Sequence, residues 1–177
     1  MRALKDHAAV VTGASSGIGK AITLGLAAQG AALCLLGRNP ETLGAVAESA
    51  RQSAARVLPY QIDLTIDQAV LDLAIQVERE FGGIDILVHS AGEILLGDIE
   101  AAPIVELDRQ YRINVRAPCT LTKAFLPMIR ARRGQIVFIN SSAGLTATPG
   151  VGQYTATKHA LKALADTLRL EANASAV

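Results

Sequence analysis

Apolar and polar positions alternate in blocks along this chain. Five short runs rich in Val, Leu and Ile fall at 8–11, 32–36, 57–62, 84–89 and 135–140, each bounded by Gly, Asp, Asn or Pro. Runs of that length with those edges predict buried strands. Longer stretches with helical spacing lie between and after them, at 17–28, 41–55, 66–81, 104–132 and 151–172. In the third of these, Ala69, Val70, Leu73, Val77 and Phe81 share one face. In the last, Leu161, Leu164, Leu168 and Ala172 form a stripe that suits a core or a subunit interface. Pro103 suits the first turn of the fourth helix, and Pro118 and Pro127 should kink or break it. Strand followed by helix, five times over, predicts an α/β fold: a doubly wound parallel sheet flanked by helices. Ligands bind such sheets beyond the carboxyl ends of the strands. The residues to inspect are therefore 13–19, 37–39, Asp63, 90–92 and 141–142.

Composition agrees with that architecture. Half of the 177 residues are apolar and only 3% are aromatic, with no Trp. A core of Ala, Val, Leu and Ile suits parallel strands covered on both faces. The length suits a single domain over 1–177, large enough to form a core without disulfides or metal. A net charge of +1 argues against a nucleic-acid partner held by bulk charge. The run Arg130–Arg133 reads instead as a charged helix end. Cys34 and Cys119 have no metal-ligand or redox-pair spacing and read as buried free thiols. No run reaches the ~18 apolar residues of a membrane span, and the N-terminal run is too short for a signal peptide. These features predict a cytoplasmic protein with no membrane partner. His89 and His159 lack acidic or thiol neighbours at ligand spacing, so no metal is expected.

Thr12-Gly13-Ala14-Ser15-Ser16-Gly17-Ile18-Gly19 joins the first strand to the first helix. Glycines allow a sharp turn and a close approach to the backbone. The helix start behind them offers free N–H groups and a positive dipole end, so an anion site is expected. A phosphate-hydrolysing loop would need Ser or Thr after Gly19-Lys20, where Ala21 stands. The common G-x-G-x-x-G pattern would need glycine at Ile22.

The spacing Gly13-x-x-x-Gly17-x-Gly19 resembles the nucleotide loop of the short-chain dehydrogenase/reductase family, and other positions agree. Tyr154-Thr-Ala-Thr-Lys158 matches that family's Tyr-x-x-x-Lys, Ser141 stands thirteen residues before Tyr154, and Asn114 lies in the long helix after the fourth strand. Asp63 follows the third strand. His89-Ser90-Ala91-Gly92 stands where the family has Asn-Asn-Ala-Gly, so both asparagines are replaced and Ala-Gly is kept. The resemblance runs from Thr12 to Lys158. It implies a Rossmann-like dinucleotide-binding oxidoreductase domain without the last one or two strands of the family fold. The edge of the fifth strand would then be unpaired and apolar.

The resemblance implies hydride transfer between a nicotinamide cofactor and an alcohol or carbonyl compound, with Tyr154 and Lys158 as the acid–base pair. Tyrosine has a free pKa of about 10, and Lys158, one turn away on the same face, should favour its ionised form. Ser141 would orient the substrate oxygen, and Asn114 would anchor a water that relays protons toward Lys158. The cofactor would lie against Gly13, Ser15, Ser16, Gly17, Ile18, Gly19, Arg38, Asp63, Leu64, Ala91, Gly92, Asn114, Tyr154 and Lys158. At the end of the second strand an acid would select NAD, but Gly37-Arg38 stands there. Arg38 can fork onto a 2′-phosphate, which predicts NADP(H) over NAD(H). Apolar residues at 93–96 and 145–151 point to a hydrophobic substrate. The helices at 104–132 and 151–172 would pack against their copies in a homodimer or homotetramer. The alternative is a catalytically impaired nucleotide-binding sensor or scaffold on the same fold.

Overall fold

The computed structural model describes residues 3–174. The described chain falls into two compact units, one made of 3–91 with 120–137 and the other of 92–119 with 138–174.

The first unit holds a five-stranded sheet: β1 (Ala8–Thr12), β2 (Ala32–Gly37), β3 (Arg56–Gln61), β4 (Ile86–His89) and β5 (Gln135–Phe138), in the order β3-β2-β1-β4-β5. β1 pairs in parallel with both β2 and β4, and β2 pairs in parallel with β3. Val10, Val11, Leu33, Leu35, Leu36 and Leu87 have no solvent exposure. Central parallel strands buried on both faces account for such uninterrupted apolar runs. Strand order reverses between β1 and β4, so the loops after these two strands flank the switch point where doubly wound sheets bind ligands.

Helices α1 (Gly17–Ala28), α2 (Pro40–Arg51) and α3 (Asp67–Phe81) connect these strands. The Asn39 side chain accepts from the Thr42 N–H at 3.0 Å, and Pro40 fills the first helical position, where no N–H is missed. The second helix thus begins one residue before the expected start, and it ends at Arg51 rather than 55, giving way to a turn at Ser53 and Ala54. α3 ends on Gly82, whose left-handed backbone (φ +66°) closes the last turn. The face read from the sequence is the buried one, with Val70, Leu73 and Val77 inside. The third strand lies at 56–61 rather than 57–62. The fourth starts at Ile86 rather than 84, and the fifth stops at Phe138 rather than 140.

The helix expected over 104–132 is three pieces: α4 (Ile104–Tyr111), a wide π turn (Arg112–Arg116) and α5 (Ala117–Arg132). The irregularity centres on Asn114 rather than on Pro127, which α5 carries without a break. In the wide turn the Ala117 N–H reaches back five residues to the Arg112 carbonyl. Pro118 then has no N–H to return to the carbonyl of Asn114, four residues earlier. The buried side of α5 in the first unit carries Leu121, Phe125, Met128 and Ile129.

The second unit carries residues 92–103, α4, the wide turn, a short 3-10 turn (Ser142–Gly144) and α6 (Gly152–Ala174). Gly97 bridges to Val151, and its N–H donates to the Gly150 carbonyl at 2.8 Å. Leu161 of the α6 stripe is buried, and Leu164 and Leu168 are half-buried.

Candidate functional site

In the first unit the loop after β1 is built so that side chains cannot fill it. Gly13 and Gly17 have left-handed backbones, φ +64° and +52°. A Cβ on Gly19 would lie 2.2 Å from the Gly13 carbonyl oxygen, and one on Gly13 would lie 2.9 Å from the Ala91 backbone. The sequence therefore uses glycine where the main chain folds onto itself and onto the end of β4. Thr12 closes this end of the sheet, its Oγ1 accepting from the N–H groups of Ser90 and Ala91, both at 2.9 Å. Nothing in the sequence of the loop marks Thr12 for this role. Ser16 stands at the start of α1 without capping it through its side chain, and Ile18 is exposed.

The ends of β2 and β3 complete this face. Arg38 is exposed. A side chain at Gly37 would meet Leu43 Cδ1 at 3.2 Å and Ser15 Oγ at 3.4 Å, so an acid there would need its neighbours to move. Asp63 is exposed and accepts from the Thr65 N–H (2.9 Å) and hydroxyl (2.7 Å). These bonds hold its carboxyl below the usual range, with a smaller contribution from Arg38. Leu64 beside it is buried.

His89, at the end of β4, stands where the family pattern has asparagine. It is buried, and its Nε2 lies 2.9 Å from Thr122 Oγ1. Burial lowers its pKa to about 3, so it is neutral at physiological pH. Cys34 is also buried, which pushes its thiol far up, whereas Cys119 is half-buried rather than buried. Among the described residues no group of three His, Cys, Asp or Glu could hold a metal ion. No described helix is long and apolar enough to cross a membrane.

The second unit brings Gly92, Asn114, Tyr154 and Lys158 together. Lys158 is 94% buried: its relative exposure is 6%. Its Nζ donates to the Ile139 carbonyl at 3.0 Å and lies 5.7 Å from the centre of the Tyr154 ring. Desolvation holds the ammonium below the ordinary lysine range. A solvated surface lysine is thereby excluded. Tyr154 and Lys158 stack because they are four residues apart on α6. A Cβ on Gly92 would lie 3.1 Å from Asn114 Oδ1 and 3.8 Å from Lys158 Nζ, so glycine lets the Asn114 side chain approach the backbone here.

Asn114 is buried at the centre of the wide turn. Its Oδ1 accepts from the Glu93 N–H (2.8 Å), and its Nδ2 donates to the Glu93 carbonyl (2.8 Å) and to Thr157 Oγ1 (3.1 Å). The Thr157 hydroxyl donates in turn to the Tyr154 carbonyl at 2.7 Å. Ser141 Oγ accepts from the Ala143 N–H at 3.2 Å, which opens the 3-10 turn at Ser142. The residues that sequence reasoning missed are Thr157, Gln110 and Gln153. Their one signal is spacing: 110 and 114, and 153 and 157, are polar pairs one helical turn apart.

A glycine cradle at a helix N-terminus is suited to an anion, and a phenol beside a buried amine is suited to proton exchange. The sequence pattern of the short chain dehydrogenase family matches residues 7–177. An uncharacterised oxidoreductase of Staphylococcus aureus is 36% identical over 172 residues, covering 97% of this chain and 74% of that protein. The crystal structure of NAD+-bound xylitol dehydrogenase superposes with a TM-score of 0.92 at 31% identity, over 96% of this chain and 66% of that one. A metagenomic short-chain oxidoreductase in complex with NADP gives 0.90 at 35% identity, over 96% of this chain and 77% of that one. This chain therefore spans about two thirds to three quarters of the relatives it matches. The glycine loop, the Tyr154–Lys158 pair and these matches lead to one conclusion: the chain belongs to the short-chain dehydrogenase family of NAD(P)-dependent oxidoreductases.

Proposed function

We propose that this protein transfers a hydride between NADP(H) and an alcohol or carbonyl substrate, with Tyr154 as the acid–base group. The observation that carries the reading is the buried Lys158 ammonium beside the Tyr154 ring. Burying a lysine costs free energy that a surface position would not, and here it places positive charge where a phenol proton must leave and return. Lys158 holds its orientation through the Ile139 carbonyl. Ser141 orients the substrate oxygen, and Asn114 fixes the segment at Glu93 and anchors a water on the proton route toward Lys158.

Gly13, Ser15, Ser16, Gly17, Ile18, Gly19, Ala91 and Gly92 would hold the dinucleotide, with Asp63 and Leu64 at its adenine end and Tyr154 and Lys158 at its nicotinamide ribose. Gly13 and Gly19 let the main chain fold tightly at the start of α1, and nothing lies within 4 Å of a Cβ on Gly17, so the backbone there is open to such a group. When bound, the nicotinamide supplies the hydride acceptor or donor. Two features support NADP(H) over NAD(H): Arg38 is exposed beyond β2, and Gly37 leaves little room for the acid that would hold a free ribose hydroxyl.

The substrate is a small hydrophobic alcohol or carbonyl compound, since Ile94, Leu96 and Leu145 are exposed in the second unit. The protein works in the cytoplasm as a homodimer or homotetramer through the faces of α4, α5 and α6. NADPH oxidation with a panel of aldehydes, ketones and quinones tests the reading. Turnover on at least one apolar carbonyl supports it. Tight NADPH binding with no turnover on any member would instead favour a sensor.

A further inference from the structure

Two glutamines of the second unit have no part in the proton chemistry and are nonetheless buried. Gln110, on the last turn of α4, has no solvent exposure, and Gln153, on the first turn of α6, has 9%. Buried amides are retained where their hydrogen bonds are filled. Gln110 Oε1 accepts from the Leu95 N–H at 3.1 Å, and its Nε2 donates to Gln153 Oε1 at 3.3 Å. Gln153 Nε2 donates in turn to the carbonyls of Ala102 (3.4 Å) and Pro103 (3.1 Å). A backbone N–H only donates and a carbonyl only accepts, so the partners at both ends set the two amide orientations.

The bonds form one run from Leu95, through both helices, to the end of the same loop. One turn further along each helix, Asn114 and Thr157 make a second rung, with Asn114 holding the Glu93 N–H. Glu93 and Leu95 are thus held at alternate positions, and Ile94 and Leu96 between and beyond them are exposed. The residue that follows Gln153 is Tyr154.

We propose that Gln110 and Gln153 are positioning residues, which lock the segment 93–103 and the first turn of α6 into a single register. The apolar side chains of Ile94 and Leu96 and the phenol of Tyr154 are then presented from one fixed backbone. The kinetic consequence rests on the oxidoreductase reading above; the structural one does not.

Gln110→Met and Gln153→Met keep the length of each side chain and remove its amide. In the unsubstituted protein the Leu95 amide, which lies outside the sheet, exchanges at least about tenfold slower than in an unstructured peptide. An unprotected Leu95 overturns the proposal without any variant being made. Gln110→Met speeds Leu95 exchange about tenfold and leaves Glu93, held by Asn114, within about twofold. No change, or equal change at both, contradicts it. In turnover each variant loses kcat about tenfold with the KM for NADPH unchanged. The double variant loses no more than the worse single one, because both cut the same run of bonds. Losses that multiply, or that appear only in the KM for NADPH, overturn the positioning role. Turnover that survives Tyr154→Phe overturns the acid–base reading instead, and leaves the exchange results to decide whether the glutamines hold the loop.

Discussion

Lys158 is anchored twice at one end of α6. Its Nζ donates to the Ile139 carbonyl at 3.0 Å while lying 5.7 Å from the centre of the Tyr154 ring. The first contact orients the amine and the second places its charge. Lys158→Met keeps the aliphatic stem, removes the charge and leaves the Ile139 carbonyl without its donor. The expected result is a fall in kcat/KM of about 10²–10⁴, with a stability loss of no more than about 1–3 kcal/mol. Steady-state kinetics read beside a thermal melt separate the two effects.

Arg38 decides between cofactors in the proposed reading. A charge-assisted bond to a phosphate contributes about 1.5–3 kcal/mol, so Arg38→Asp should weaken NADPH about 10–100-fold. The same acid can accept from a free ribose hydroxyl and should improve NADH. Dissociation constants for both cofactors check this. Equal affinity of the unsubstituted protein for the two would defeat the preference.

Two glycines six residues apart in α1 should respond oppositely to alanine. At Gly19 a Cβ would meet the Gly13 carbonyl oxygen at 2.2 Å, whereas at Gly25 nothing lies within 4 Å. Gly25→Ala should stabilise by about 0.5–1 kcal/mol through helix propensity. Gly19→Ala should destabilise and abolish dinucleotide binding. Denaturant midpoints and a cofactor titration on both variants test the contrast.

His89 makes stability depend on pH in mild acid. Its folded pKa, near 3, is below the unfolded value of 6.5. Between these values the unfolded chain binds the extra proton, so stability rises with pH and is lost as pH falls. One pH unit corresponds to about 1.4 kcal/mol. A fall from pH 6.5 to pH 4 should therefore cost on the order of 3 kcal/mol from this group. His89→Asn, which restores the residue type of the family pattern, should flatten that dependence. Urea unfolding at pH 4, 5, 6 and 7 measures it, and parallel curves for the two proteins would contradict the assignment.

The features legible in the sequence are those where residue type states a backbone demand. Gly13 and Gly17 supply left-handed turns, Gly19 supplies a close approach, and the uninterrupted runs of β1 and β2 state burial on both faces. The Tyr154–Lys158 stack follows from helical spacing alone. The break in the long helix was harder to place, because proline rules point equally to Pro118 and Pro127. Pro127 is exposed, where water can satisfy the carbonyl it leaves, and α5 continues through it. The wide turn instead centres on Asn114, whose side chain is tied to Glu93. The Gln110–Gln153 bridge was not legible, since a glutamine on a helix is usually solvated and only tertiary packing buries this pair.

In the proposed hydride transfer Tyr154 carries the proton. The most direct test is Tyr154→Phe, which removes one oxygen and keeps the ring beside Lys158. NADPH oxidation by the best carbonyl substrate should fall by at least about 10², with the NADPH dissociation constant within about threefold of the unsubstituted protein. Turnover that persists at the original rate would show that the Tyr154 phenol carries no proton in the reaction.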